Sequence, residues 1–145
     1  LPHETIEKAF KTLDLNKKMK VDIAWVYALQ PYPGTEIYDY AIEHGFLDKN
    51  FSFDEIDPLG VLESPIAKKL KDRNKIRVLL SFFYYGVKIP GFSHILKLLV
   101  YIPNNFIFDF FHRLSLLISY AGLHQFNIFK VFKMALEVRR ASRRK

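Results

Sequence analysis

The sequence predicts an α/β fold over residues 1–45 and an all-helical region from residue 64 onward. Three observations carry this. An amphipathic stripe over residues 5–19 is followed by an apolar run over residues 21–29 that is apolar on both faces. A stiff loop at residues 30–35 then leads into another helical pattern. From Ser64 the periodicity is helical, broken only at glycine and proline.

In the first helix, Ile6, Ala9, Phe10, Leu13 and Met19 fall near helical spacing. Glu7, Lys8, Lys11, Lys17 and Lys18 lie off that stripe. Thr5 is suited to cap the helix, and Glu7 sits favourably in its first turn. In the next segment Ile23, Trp25, Tyr27 and Leu29 take one side, and Ala24, Val26 and Ala28 the other. A strand apolar on both sides belongs to a parallel sheet covered by helices, so helix plus strand reads as half of a β/α unit. Pro31, Pro33 and Gly34 stiffen the following loop. Thr35 can cap a helix over residues 36–44, with Ile37, Tyr38, Ala41 and Ile42 inward and Gly45 closing it.

Residues 46–63 read as an irregular loop packed across the preceding unit, with room for a short strand, pinned by Phe46, Phe51, Phe53 and Leu59. Ser64 and Pro65 start a helix expected to reach Tyr85 and stop at Gly86. Pro90 and Gly91 mark a break. Further helices are expected over residues 92–101, over residues 105–120 with an end at Gly122, and from His124 into the C-terminal tail. The organisation is therefore residues 1–45, a connection at 46–63, and a helical region at 64–145.

Composition narrows the chemistry. The chain has no cysteine, which excludes disulfides, zinc–thiolate sites and an iron–sulfur cluster held by its own residues. His3 reads as a loop residue, and His44, His94, His112 and His124 are widely separated without carboxylate partners at ligand spacing, so no metal site is expected. The net charge is +7, and the stretch from Lys130 holds seven Lys and Arg against Glu137 alone. Such a tail suits an anionic membrane surface, or nucleic acid less well, and equally suits a solvated helix end. The 14 Phe and 8 Tyr need a large core, a partner surface or a membrane interface to absorb them. Residues 92–120 are very apolar, yet Lys97, Pro103, Asn104, Asn105, Asp109, His112 and Arg113 interrupt them. That leaves no clean window of about 18–20 apolar residues, so a hairpin in a membrane interface, or one packed on another domain, fits better than a transmembrane span. The first residues lack a signal-peptide pattern, and the chain opens inside a loop motif, as a fragment would.

Two motifs bring a family into view. Leu1-Pro2-His3-Glu4-Thr5, followed by Ile6-Glu7, resembles the G-L-P-G-E-T-x-E stretch after the fifth barrel strand of many radical S-adenosylmethionine (SAM) enzymes. Residues 30–38, Gln-Pro-Tyr-Pro-Gly-Thr-Glu-Ile-Tyr, resemble the P-x-P-G-T-x-L/I-Y motif after their sixth strand. One helix and one strand separate the two, as in that family. Residues 40–47, the break at 86–90 and the pattern at 98–105 look like the branch with an N-terminal cobalamin-binding domain. The chain departs from the family at His3, where a second glycine is usual, and in lacking the C-x-x-x-C-x-x-C that holds a 4Fe-4S cluster.

The resemblance implies the closing β/α units of a partial TIM-type barrel, capped by the helical region. It implies an intact enzyme that reductively cleaves SAM to a 5′-deoxyadenosyl radical, with cobalamin-dependent methyl transfer or rearrangement as a further option. This chain alone is expected to be inactive, with no catalytic residue and no metal ligand of its own. Cofactor-contacting residues implied here are Pro2, Glu4, Leu29 and Gln30, and the substrate pocket is implied at Gln30, Tyr32, Pro33 and Thr35. Turn-forming and capping roles for Pro31, Pro33, Gly34 and Thr35, and a helix-dipole role for Glu4, are the structural alternatives. Expected partners are the rest of the same enzyme, a small-molecule or lipid substrate and an anionic membrane surface. The expected location is the cytoplasm, or peripherally the inner membrane face. The competing function is a helical module that docks on a membrane or a partner.

Overall fold

Thr5 begins the first helix as expected. In the computed structural model its hydroxyl accepts a hydrogen bond from the Lys8 amide at 3.3 Å, and α1 runs Ile6–Met19. The structure describes residues 1–52, 54, 62 and 64–123. Ile6, Ala9 and Leu13 form the buried face of α1. Met19 lies outside that face and is exposed. Lys20 ends the helix at φ 51°, donating its N–H to the carbonyls of Asn16 and Lys17.

Residues 21–29 overturn the expected α/β class. Among the described residues there is no strand and no sheet, so this is not a piece of a partial TIM-type barrel. Two-sided apolar character is a composition, and a strand also needs a ladder partner, which this segment does not have here. Nor is it buried on both sides. Ala24 is buried and Val26 and Ala28 pack against the core, while Trp25 and Tyr27 face outward and are exposed.

The helices that follow are α2 (Glu36–Glu43), α3 (Pro65–Lys68), α4 (Arg73–Lys88), α5 (Phe92–Leu99) and α6 (Phe106–Leu123). Gly45, at φ 73°, closes the α2 end as expected. The single helix expected from Pro65 to Tyr85 is two, α3 and α4, separated by a turn. Ser64 caps α3, accepting from the Ala67 amide at 3.1 Å. Asp72 stands at the start of α4, yet its carboxylate serves a different helix. It accepts from the Ile6 amide at 3.2 Å and so caps α1 across 66 residues of sequence.

α4 is the centre of the molecule, with α1, α5 and α6 packed on it. Residues 78–83 are all buried, so this helix is covered on every side through its middle. Ser81 tolerates that burial because its hydroxyl donates to the Arg77 carbonyl at 3.1 Å. Gly86 does not stop the helix; α4 runs through it to Lys88. Its role is contact. A Cβ there would stand 2.7 Å from Leu13 Cδ1 and 3.1 Å from Leu96 Cδ2, so it marks where α1 and α5 close on α4.

The break at Gly91 is real, with φ 80°, and α5 follows it. Asn105 caps α6, its Oδ1 accepting from the amides of Ile107 at 3.0 Å and Phe108 at 3.3 Å. α6 continues past Gly122, where an end was expected, to Leu123. The helix expected from His124, the basic tail, Phe53 and Leu59 lie outside the described residues. The principal core joins α1 to α4, α5 and α6, and therefore spans both sides of the 46–63 connection. A smaller cluster of Ala41, Leu47, Phe51 and Ile66 holds α2 and α3 together.

Candidate functional site

Between α1, the segment that follows it, α3 and α4 lies a cavity of about 730 Å³. That volume is within the usual range of about 300–1,000 Å³ for small-molecule sites. The wall is mostly apolar, with Val26, Ala28, Leu29, Ile66, Leu79 and Phe83 among its residues. Glu4, Thr12, Gln30, Tyr32, Thr35 and Ser64 add polar groups, and Arg73 and Arg77 bring positive charge from α4.

Both sequence motifs reach this one cavity. Glu4 comes from the first, Gln30, Tyr32 and Thr35 come from the second, and Leu29 directly precedes the second. Pro2 and Pro33 are not in the wall. Each sits instead in a turn that sets its neighbours. Around Pro2 the Glu4 amide bonds the Leu1 carbonyl at 3.1 Å, and His3 adopts φ 58°. His3 thus takes the left-handed backbone that favours glycine, despite its side chain. Its ring packs edge-on against Phe46 at 4.9 Å, and its carbonyl accepts from Lys8 Nζ at 3.1 Å.

Residues 32–35 form the second turn. The Thr35 amide bonds the Tyr32 carbonyl at 3.3 Å, with Pro33 second and Gly34 third at φ 84°. Proline then a positive-φ glycine is the type II pattern. Thr35 is at the cap position of α2 but makes no side-chain cap bond. Its hydroxyl donates back to the Tyr32 carbonyl at 2.7 Å. That doubles the tie across the turn and fixes the Tyr32 backbone at the cavity mouth. Pro31 is fully buried beneath it. Gln30 is half-buried, and Tyr32 is 49% exposed.

Arg77 is oriented by Asp109 of α6, with Nη2 at 3.3 Å from each carboxylate oxygen. The sequence reading passed over Arg73 and Arg77. Their spacing of four places them on one helix face, but which face meets a cavity depends on packing. Among the described residues no three His, Asp or Glu side chains converge as a metal site would require. No family model, no curated protein and no solved structure matches the chain.

Proposed function

We propose that this chain is part of a radical SAM enzyme and supplies one wall of its SAM and substrate pocket. The single observation carrying the reading is the convergence of Glu4, Gln30, Tyr32 and Thr35, drawn from two motifs, on one cavity that Leu29 also lines. The residues fit a ligand of SAM's chemistry in kind. SAM is a zwitterion with a largely apolar body, and the wall combines a carboxylate, guanidinium groups and apolar side chains. Glu4 is suited to the amino group and Arg73 to the carboxylate, while Gln30 and Tyr32 offer an amide and a ring toward adenine or substrate. When bound, SAM and a reduced 4Fe-4S cluster supply the radical chemistry, and the protein's part is positioning and exclusion of water. The cluster must be held by cysteines elsewhere in the enzyme, since this chain has none.

The test is made on the full-length protein, purified without oxygen and with its cluster rebuilt. On reduction with SAM present, 5′-deoxyadenosine should appear. Gln30→Ala and Tyr32→Ala should each reduce its yield by about tenfold or more, the usual loss when positioning is disturbed. Absence of 5′-deoxyadenosine from the reconstituted protein, or a full-length sequence without C-x-x-x-C-x-x-C, would sink the proposal.

A further inference from the structure

α6 is built largely inside out. Phe108 is buried, but the inward positions after it are small or polar: His112, Ser115 and Ser119 are all buried. Its outward positions are large and apolar, with Phe106 82% exposed and Phe110 60% exposed. A helix on a water-facing surface has the reverse arrangement. α5 and the loop after it extend the same surface. Leu98 is 74% exposed and Tyr101 71% exposed, with Ile95 and Ile102 beside them in sequence at helical spacing.

This surface is held in place. Asn74 of α4 donates to the Ile102 carbonyl at 3.3 Å and accepts from the Asn104 amide at 3.0 Å. Lys75 Nζ sits 4.9 Å above the Tyr101 ring. The apolar groups are therefore presented by a braced loop between two helices. Alongside α6, Trp25 and Tyr27 form a groove of about 350 Å³ with Arg113, Leu116, Leu117 and Tyr120. Amphipathic rings beside a cation are the composition of a membrane–water boundary.

Charge selects the occupant. α5 contains no acid, and the one acid of α6, Asp109, is drawn toward Arg77. Residues 1–88 hold equal numbers of acidic and basic side chains. Residues 89–145 hold nine Lys and Arg against two acids, the whole net charge of +7. Of that charge, +6 lies in residues 130–145, outside the described residues and following α6 in sequence, and a second copy of the chain would bring like net charge against like. An anionic bilayer accepts both the apolar side chains and the positive charge. Among the described residues no helix is long and apolar enough to cross a membrane. We infer that the outer surface of α5 and α6 docks in the interface of an anionic lipid bilayer, with Phe106, Phe110, Leu98 and Tyr101 entering the headgroup boundary.

The experiment is flotation of the full-length protein with phosphatidylcholine vesicles, with and without phosphatidylglycerol. Binding should be strong only with the anionic lipid and should weaken as salt rises. The double variant F106E/F110E should bind about tenfold less or worse, since two rings proposed to enter the lipid are replaced by charges that an anionic surface repels. Both positions are exposed, so its helical circular dichroism should match the parent's. Failure of the parent to float with anionic vesicles overturns the inference, as does equal flotation of parent and variant. A dimer that forms in solution and is dispersed by the variant also overturns it, by assigning the surface to self-association.

Discussion

Replacing Gly86 with alanine should destabilise the protein, although alanine is the better helix former. Gly86 lies inside α4, so Gly86→Ala gains about 1 kcal/mol of helix propensity. Against that, the new Cβ would stand 2.7 Å from Leu13 Cδ1 and 3.1 Å from Leu96 Cδ2. Carbon atoms prefer about 3.5–4.0 Å, so Leu13 must retreat by nearly 1 Å. It has nowhere to go, because Leu13 and Leu96 both have 0% exposure. Overpacking of this kind costs about 1–3 kcal/mol, which leaves a net loss of roughly 1 kcal/mol. Urea denaturation followed by far-UV circular dichroism measures it, with the m-value expected to stay constant. Gly122 supplies the internal control. It is also helical, yet nothing lies within 4 Å of a Cβ built there. Gly122→Ala should therefore stabilise by up to about 1 kcal/mol. In a Leu13→Ala background the principal clash is gone, and Gly86→Ala should become neutral or stabilising, with a coupling of about 1 kcal/mol or more. The reasoning is refuted if Gly86→Ala stabilises the parent as much as Gly122→Ala does.

Asp72→Ala removes the cap on α1 and should cost about 1–2 kcal/mol, whereas Asp72→Asn, which keeps an acceptor, should retain most of the stability in the same denaturation assay. The Ile6 amide, then Lys75, holds the Asp72 carboxyl below the usual carboxylate range. A depressed acid contributes stability above its unfolded pKa and loses it as pH falls through the folded one, so the Asp72 share should fade in acid below about pH 4 and be missing from Asp72→Ala at every pH. His112 behaves differently. Burial pushes its pKa down, with neighbouring Asp109 opposing. The unfolded chain then binds the proton more tightly, so stability should be full above about pH 6.5 and fall below it by at most about 1.4 kcal/mol per pH unit. Stability curves of the parent and His112→Leu between neutral and mildly acidic pH check this, and parallel curves would contradict it.

The sequence made the helix beginnings legible because their causes are local. Thr5, Ser64 and Pro65 act within one turn of themselves, and each stands where its chemistry placed it. Gly45 and Gly91 carry the positive φ their turns require. Gly86 and Gly122 both lie inside helices, Gly86 at a close approach of α1 and α5 and Gly122 with nothing within 4 Å of a Cβ. Glycine ends a helix when the backbone must turn left-handed, but it also permits close approach, and only packing distinguishes the two. The split between α3 and α4 was hidden for a similar reason. The Asp72 carboxylate leaves its own helix to satisfy an amide 66 residues away, and no local pattern announces such a partner.

The segment at residues 21–29 shows where periodicity misleads. Its residues are apolar on both faces, a pattern that predicts a doubly buried strand. Ala24 is buried, Val26 and Ala28 are half-buried against the core and line the cavity, and Trp25 and Tyr27 are exposed. An apolar residue in a sequence states what would favour burial and leaves open whether anything covers it. The same limit applies to α6, where the ordinary rule would turn Phe106 and Phe110 inward. They face outward because Phe108, His112, Ser115 and Ser119, at spacings of three and four, occupy the inward stripe. That stripe is mainly small or polar, yet Phe108 anchors it by packing edge-on against Phe82 at 5.0 Å, and Arg77 holds Asp109 alongside. Phe111 adds a second ring against Phe82 at 5.5 Å, and with these rings and one ion pair fixing its rotation the helix holds Phe106 and Phe110 outward. The apolar outer surface is thus a consequence of specific contacts with α4, and it will persist in any state in which those contacts hold.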